Sequence, residues 1–295
     1  MHEIFNHLDK IPNPCFVLEE SVFIKNMEQF NFIEKASGGS VLCALKGFSM
    51  WSVFPDMKSY ISGGTASSLN EAKLIHDEMG LKAHCCFVVY SASEFTELQT
   101  IASHITFNSL SQVEKFKGEF KDDIKYGIRI NPAFSDVSFA KYNPCMPGSR
   151  LGITKEKLSD TLPAGITGIH FHALCESNSS DLENLLVVIE SDFGHLLHQA
   201  EWVNIGGGQT ENILKSRKNN PSKRFQCVRA SYFRYLSDNT NQQGGREGHF
   251  SRNPTGQVES AIAIFLFAPK HLENSPIATL FASDVDWCQS RFGRF

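Results

Sequence analysis

Apolar residues recur along this chain in short blocks of strand length, separated by stretches of helical period. The first strong block, Val41-Leu42-Cys43-Ala44-Leu45, is continuous rather than alternating, as in a strand buried on both faces, and it runs into Lys46 and Gly47. Ahead of it, Ile11-Pro12-Asn13-Pro14-Cys15-Phe16-Val17-Leu18 reads as a turn entering a short strand. Positions 20–35 carry a helical period, and Ser37-Gly38-Gly39-Ser40 is a turn signal. Downstream the pattern predicts a helix at 51–58, a strand at 60–62, a helix at 69–79, a strand at 84–90 and a helix at 93–102. A strand at 105–108, a helix at 111–120 and a strand at 125–130 follow. A long loop holding Asn131-Pro132 and positions 144–150 precedes a helix at 155–161, a strand at 168–172, a helix at 180–199 and a strand at 202–205 closing on Gly206-Gly207-Gly208. Seven strands, each separated from the next by a helix, predict parallel α/β architecture, and an eight-fold barrel requires one further unit. The expectation is therefore a (β/α)8-type barrel lacking its last unit, with two unpaired edges that invite aggregation.

Beyond position 208 the pattern stops. Positions 210–260 are rich in Asn, Gln, Ser, Arg and Gly, and the apolar run at 260–268 has no consistent period around it. Charge changes at the same place. Through Gly208 there are 14 lysines, two arginines (Arg129 and Arg150) and 25 acids, a net charge of −9; from Gln209 there are four lysines, eight arginines and seven acids, a net charge of +5. This basic tail lacks the interleaved aromatic and basic residues of a nucleic-acid module, so no nucleic-acid partner is expected. No run approaches the ~20 apolar residues of a membrane span, and the N-terminus has mixed charge without a long apolar core, so neither a membrane segment nor a secretory signal is expected. The eight cysteines contain no C-x-x-C pair and no zinc-type spacing, which points to free thiols in a reducing cytoplasm.

Within a parallel barrel the strand ends face the active site. Lys46 ends the first strand, Asn108-Ser109 and Asn131-Pro132 the fourth and fifth, His172 the sixth and the glycine triplet the seventh. An ammonium at the end of a buried strand costs desolvation unless it is paired or neutralised, and a lysine amine in apolar surroundings is the nucleophile of Schiff-base chemistry. A solvated surface lysine is the plain alternative. Three glycines after a strand let successive N–H groups approach an anion, giving a nest for a phosphate, where the alternative is a flexible turn. His170 and His172 face the same side of their strand. They would serve as a metal pair only with further ligands that the spacing does not supply, whereas one imidazole lying over a ligand ring needs none. An amine, a phosphate nest and a flat imidazole together describe a pyridoxal 5′-phosphate site.

The residues also carry a resemblance. Cys43-Ala44-Leu45-Lys46-Gly47, Arg129-Ile130-Asn131-Pro132, Ser149-Arg150-Leu151-Gly152, Gly168-Ile169-His170-Phe171-His172 with Leu174-Cys175-Glu176, and Trp202-Val203-Asn204-Ile205-Gly206-Gly207-Gly208 closely resemble the carboxynorspermidine/carboxyspermidine decarboxylases. The resemblance covers positions from about 11 to 208. It implies an α/β fold with the pyridoxal 5′-phosphate-binding barrel of the alanine racemase fold at 36–208. Positions 1–35 would hold a strand that joins a C-terminal β-domain, plus the first helix, and 209–295 would be an anomalous tail in which that β-domain is absent or replaced. It implies Lys46 as the internal aldimine, His172 stacked on the ring, and Gly206, Gly207 and Gly208 on the phosphate. Arg129 would support the cofactor, and Arg150, Cys175 and Glu176 would lie at the substrate or support the site. The reaction implied is loss of the α-carboxylate from carboxynorspermidine or carboxyspermidine, giving norspermidine or spermidine, in a cytoplasmic homodimer of polyamine biosynthesis. An amino-acid racemase on the same fold fits the specific strings less well. A non-catalytic cofactor-binding barrel and a metal hydrolase built on His170 and His172 are the alternatives from other classes.

After the glycine triplet, members of that family continue to an eighth strand ending in Glu-Pro-Gly and to a β-domain with a Cys-His-Met-Pro-Asp-like segment. Neither occurs here. The resemblance ends where lysine gives way to arginine, and we read the tail as an out-of-frame translation. Translating the other two frames downstream of the Gly208 codon is expected to yield both missing segments; a coding sequence that yields neither removes that reading.

Overall fold

The computed structural model describes residues 9–12, 16–137, 140–175, 177, 179–207, 251–252, 258–259 and 263–269. Helix α1 (Glu20–Ser37) buries Phe23, Met27, Phe30 and Ile33, the one-sided spacing that the sequence predicts, and ends at Gly38 in the left-handed region, φ 69°. Strand β1 (Ser40–Ala44) follows, then the short α2 (Phe54–Met57) and β2 (Gly63–Ala66). Helix α3 (Leu69–Leu74) continues as a π turn (Ile75–Met79) to β3 (Ala83–Cys86). Next come α4 (Ala92–Ile101), β4 (Ala102–Phe107), α5 (Leu110–Phe116) and β5 (Lys125–Arg129). Strand β6 (Gly168–His170), α6 (Ser179–Leu197) and β7 (Trp202–Asn204) complete the parallel part. Three of these helices start directly behind their strands because Ser68, Ser91 and Ser109 cap them, each accepting the N–H three residues on. At α4 the Glu94 side chain returns the bond, completing a capping box.

Two antiparallel stubs, β8 (Ser251–Arg252) and β9 (Val258–Glu259), precede β10 (Ala263–Pro269). Strand β10 lies between β1 and β7 and is antiparallel to both, so the sheet closes in the order β1-β10-β7-β6-β5-β4-β3-β2. This corrects the expected pair of open edges. The apolar run left without a place in the sequence fills the gap, because the ladder groups of β1 and β7 accept a strand of either direction. Seven parallel strands stand as read, within a closed barrel.

Other boundaries also differ. The second strand lies at Gly63–Ala66 rather than 60–62, and two glycines, poor strand formers, hide it from the pattern. A Cβ on Gly64 would meet the Ile75 side chain at 2.8 Å, so the small residue is required by the packing of the π turn. The third strand stops at Cys86, leaving Val88 and Val89 exposed. The apolar run continues past it because Tyr90 folds back inside, its hydroxyl donating to the Thr106 carbonyl at 2.8 Å. The helix expected at 155–161 is a single 3-10 turn, Lys155–Lys157. The sixth strand ends at His170, two residues short of His172.

The floor of the barrel is set by Trp202. Gly127, Gly168 and Trp202 are in register across β5, β6 and β7, and the buried indole lies over both glycines. A Cβ at Gly127 would come within 2.5 Å of the indole and one at Gly168 within 1.8 Å. His104 meets the same indole edge-on, 5.1 Å between centroids, and stacks on His84 at 4.0 Å. One row higher, Arg129, His170 and Asn204 are in register. Replacing Gly168 by alanine forces the indole aside and is expected to destabilise the fold by about 1–3 kcal/mol or more, read from the urea midpoint; an unchanged midpoint would show that Trp202 yields freely.

Candidate active site

The candidate chemistry gathers at the C-terminal ends of the strands, around a cavity of about 510 Å³. Lys46 lines it, but not as the last residue of a strand in apolar surroundings. Strand β1 ends at Ala44, whose carbonyl accepts from Gly47 N at 2.9 Å and Phe48 N at 3.1 Å, and this turn carries Lys46 exposed to the mouth. Buried Leu45 and Phe48 flank it, with Phe48 stacked on Phe23 of α1, so the turn is anchored while Lys46 lines the cavity at its mouth.

Arg129, the last residue of β5, is buried, and its Nη2 donates to the His172 carbonyl at 3.3 Å. His170 and His172 both line the cavity, as their spacing predicts. Burial, followed by the Arg129 charge, lowers the His170 pKa to about 3. Burial also pushes His172 well below the ordinary histidine value, with Lys46, Arg129 and His170 adding in that order. Gly206 has φ 70°, and a Cβ there would lie 2.6 Å from the Phe171 carbonyl oxygen, so only glycine fits. Its N–H donates to Asn204 Oδ1 at 2.9 Å, and the Gly207 N–H donates to His172 Nδ1 at 3.3 Å. Two of the three expected nest donors are therefore turned onto side chains; Gly208 lies outside the described residues.

The 131–167 connection reaches over the cavity, contributing Lys141, Tyr142, Met146, Ser149 and Leu151 to its lining. Two buried asparagines pin it. Asn108 Nδ2 donates to the Arg150 carbonyl at 2.7 Å and its Oδ1 accepts from Gly152 N at 2.8 Å; Asn131 Nδ2 donates to the Leu151 carbonyl at 2.8 Å. Gly152 packs on the Ile130 carbonyl, where a Cβ would stand 2.9 Å away. The Arg150 side chain is exposed and is not part of the cavity lining, so the segment contributes through its neighbours. Cys175 lines the cavity, half-buried; Glu176 lies outside the described residues.

Several lining residues escaped the sequence reading. Thr65 and Ser67 were hidden by the displaced second strand, while Cys86 lay inside a strand whose facing the period of two gives once the ends are known. Burial raises the Cys86 thiol against the opposing pull of Arg129 and Lys46. Among the described lining residues, Lys46, Arg129 and Lys141 are cations and no carboxylate is present. No cluster of three or more metal-binding side chains occurs among the described residues.

Four histidines inside the barrel are held neutral. Burial lowers His84 to about 3 and, with His84 and Lys125 adding, His104 to about 2. Their folded pKa values lie below the unfolded value of ~6.5, so their contribution is complete above that pH and is lost as pH falls toward 3. The melting temperature is expected to drop steeply between about pH 6.5 and 4, and His104→Gln should flatten that slope. A flat profile across this window would show that the rings titrate normally.

No protein-family model matches the chain. Over 202 residues it is 43% identical to carboxyaminopropylagmatine decarboxylase of Synechocystis sp., a match covering 68% of this chain and 52% of that protein. Over 200 residues it is 38% identical to carboxynorspermidine/carboxyspermidine decarboxylase of Campylobacter jejuni, again 68% of this chain and 52% of the other. The crystal structure of carboxynorspermidine decarboxylase from Campylobacter jejuni, complexed with norspermidine, matches with a TM-score of 0.62 at 31% identity, covering 76% of this chain and 59% of that one. The chain spans about half the length of the curated relatives it matches. Over some two thirds of its length it is related, in sequence and in fold, to the carboxynorspermidine/carboxyspermidine decarboxylases, carboxy-lyases of the alanine racemase fold.

Proposed function

We propose that this barrel is the cofactor-binding part of a pyridoxal 5′-phosphate-dependent decarboxylase acting on a carboxylated polyamine. The observation that carries the reading is the meeting of Lys46, buried Arg129 and His172 in one cavity without a carboxylate among its described lining residues. These residues fit such a cofactor. The Lys46 amine stands on the mouth turn, a neutral flat imidazole lies in the wall, and the cations suit a phosphate dianion. The cavity of about 510 Å³ is of ligand size.

Lys46 Nζ would hold the cofactor covalently through its aldehyde carbon and release it to the substrate amine. His172 would lie over the ring, its orientation fixed by the Gly207 N–H at Nδ1. Arg129, held by the His172 carbonyl, would favour the phosphate, and Gly206, Gly207 and Gly208 remain the proposed nest, which the first two would form only on release from Asn204 and His172. When bound, the cofactor supplies an electron sink for the pair left as carbon dioxide departs. Ser149 and Leu151, pinned through Asn108 and Asn131, together with Cys175, would wall the substrate side; Arg150 and Glu176 are supporting candidates from the resemblance. The acid that the family sets against the ring nitrogen is not among the described lining residues, and we place its loss in the tail at 209–295. Turnover, and the homodimer the resemblance implies, would then depend on restoring that half. Among the described residues no helix is long and apolar enough to cross a membrane, and the cytoplasm remains the proposed location.

The substrate has a second reading. The Synechocystis relative, at 43% identity against 38% for the Campylobacter one, favours carboxyaminopropylagmatine beside carboxynorspermidine and carboxyspermidine. Borohydride reduction of the chain with pyridoxal 5′-phosphate is expected to label the Lys46 peptide, and Lys46→Ala to abolish that label. Equal labelling of surface lysines would refute the cofactor site. Carbon dioxide release from the three substrates then ranks them, while binding without release from any would mark a non-catalytic cofactor-binding barrel.

A further inference from the structure

The connection from β5 to β6 comes back to where it began. Ile153 pairs with Ile130 in parallel, its N–H donating to the Arg129 carbonyl and its carbonyl accepting from Asn131 N, both at 2.9 Å. The chain between is therefore a strap with two adjacent feet, one at 131–133 and one at 150–153. It supplies nearly half of the described residues that line the candidate cavity, Lys141, Tyr142, Ser149 and Leu151 among them.

Asn131 reaches both feet with one side chain. Its Oδ1 accepts from the Ala133 N–H at 2.9 Å, and its Nδ2 donates to the Leu151 carbonyl at 2.8 Å. A backbone N–H only donates and a carbonyl only accepts, so both partners fix the same orientation of the amide. The bond to Ala133 closes a turn that holds this residue at φ 51°, and among the described residues it is the one non-glycine at positive φ.

Asn108, just past the end of β4, grips the second foot from the other side. Its Nδ2 donates to the Arg150 carbonyl and its Oδ1 accepts from the Gly152 N–H, at 2.7 and 2.8 Å. These are the two bonds around Leu151 that Ile153 makes around Ile130 with its backbone, so the side-chain amide stands where a neighbouring parallel strand would. Both asparagines are buried, and neither lines the cavity.

We infer that Asn131 and Asn108 are positioning residues that clamp the feet of the strap, so that the cavity meets its ligand with that wall already in place, and that they set ligand affinity without touching the ligand. A strap released at its feet leaves only a fraction of the molecules competent to bind, and the apparent affinity falls by that fraction. The inference rests on the proposed function only for the ligand used in the second stage of its test.

The first stage uses the full chain without cofactor. Amide exchange in the wild type is expected to be slow at Ala133 and Gly152, although neither lies in a helix or strand; fast exchange at both in the folded chain would overturn the clamp. Trypsin then reads the second foot, since the Arg150 side chain is exposed while the carbonyls on either side of Leu151 N are held. Cleavage at Arg150–Leu151, measured against Lys157–Leu158 beyond the strap, is expected to rise about tenfold in Asn108→Ala. Asn131→Asp keeps the acceptor for Ala133 and loses the donor to Leu151, so it should raise the same cut while Ala133 stays protected. Merely structural asparagines would lower the melting temperature and speed both cuts equally, which would overturn the inference. In the second stage, the pyridoxal 5′-phosphate concentration that half-saturates borohydride trapping on Lys46 is expected to rise about fivefold in both variants. Half-saturation unchanged in a variant whose second foot is released would remove the claim that the strap sets affinity. If the wild-type chain protects both amides but traps no cofactor on Lys46, the cofactor reading fails and the clamp stands.

Discussion

The barrel depends on one steric exclusion. Trp202 occupies the floor across β5 and β6, and it does so only because positions 127 and 168 carry no side chain. A filled floor removes water from below and leaves the row above to polar groups that satisfy one another. His170 and Asn204 bond to one another there, and Arg129 donates to the His172 carbonyl, which offsets part of the cost of burying them. The same burial suppresses the charge of the histidines. The cationic character of the cavity therefore comes from Lys46, Arg129 and Lys141.

Much of this was legible in the sequence, for identifiable reasons. A continuous apolar run marked β1, and the period of α1 marked its buried face, because burial there is set by local pattern. The pairing of His170 with His172 on one side followed from strand geometry alone. What failed was governed by contacts far apart in sequence. Gly63 and Gly64 look like a turn until Ile75 is seen against them, and the run through Val88 looks like a longer strand until Tyr90 is seen folded inward. Lys46 was placed correctly along the chain but wrongly in its surroundings, since a two-residue turn after Ala44 moves it from an apolar wall to an open mouth. Asn108 and Asn131 were legible as strand ends, but what they and Asn204 hold appears only once segments distant in sequence are brought beside them.

The charge of the cavity also bears on how the substrate is divided. The relatives act, by their names, on carboxylated polyamines, molecules with one anionic end and several ammonium groups. The described lining suits the anionic end and a phosphate. That lining includes no carboxylate, so on the proposed function the ammonium groups would be met by other residues.

The direction of β10 has a topological consequence. A parallel eighth strand would oblige the chain to return from the mouth to the floor before entering the sheet, the crossover that every other unit makes. In the antiparallel order, Ala263 enters beside Ala44 at the mouth and the strand leaves beside Trp202 at the floor. Ile205 and Ala263 therefore lie on the cavity side, and Pro269 lies at the opposite pole.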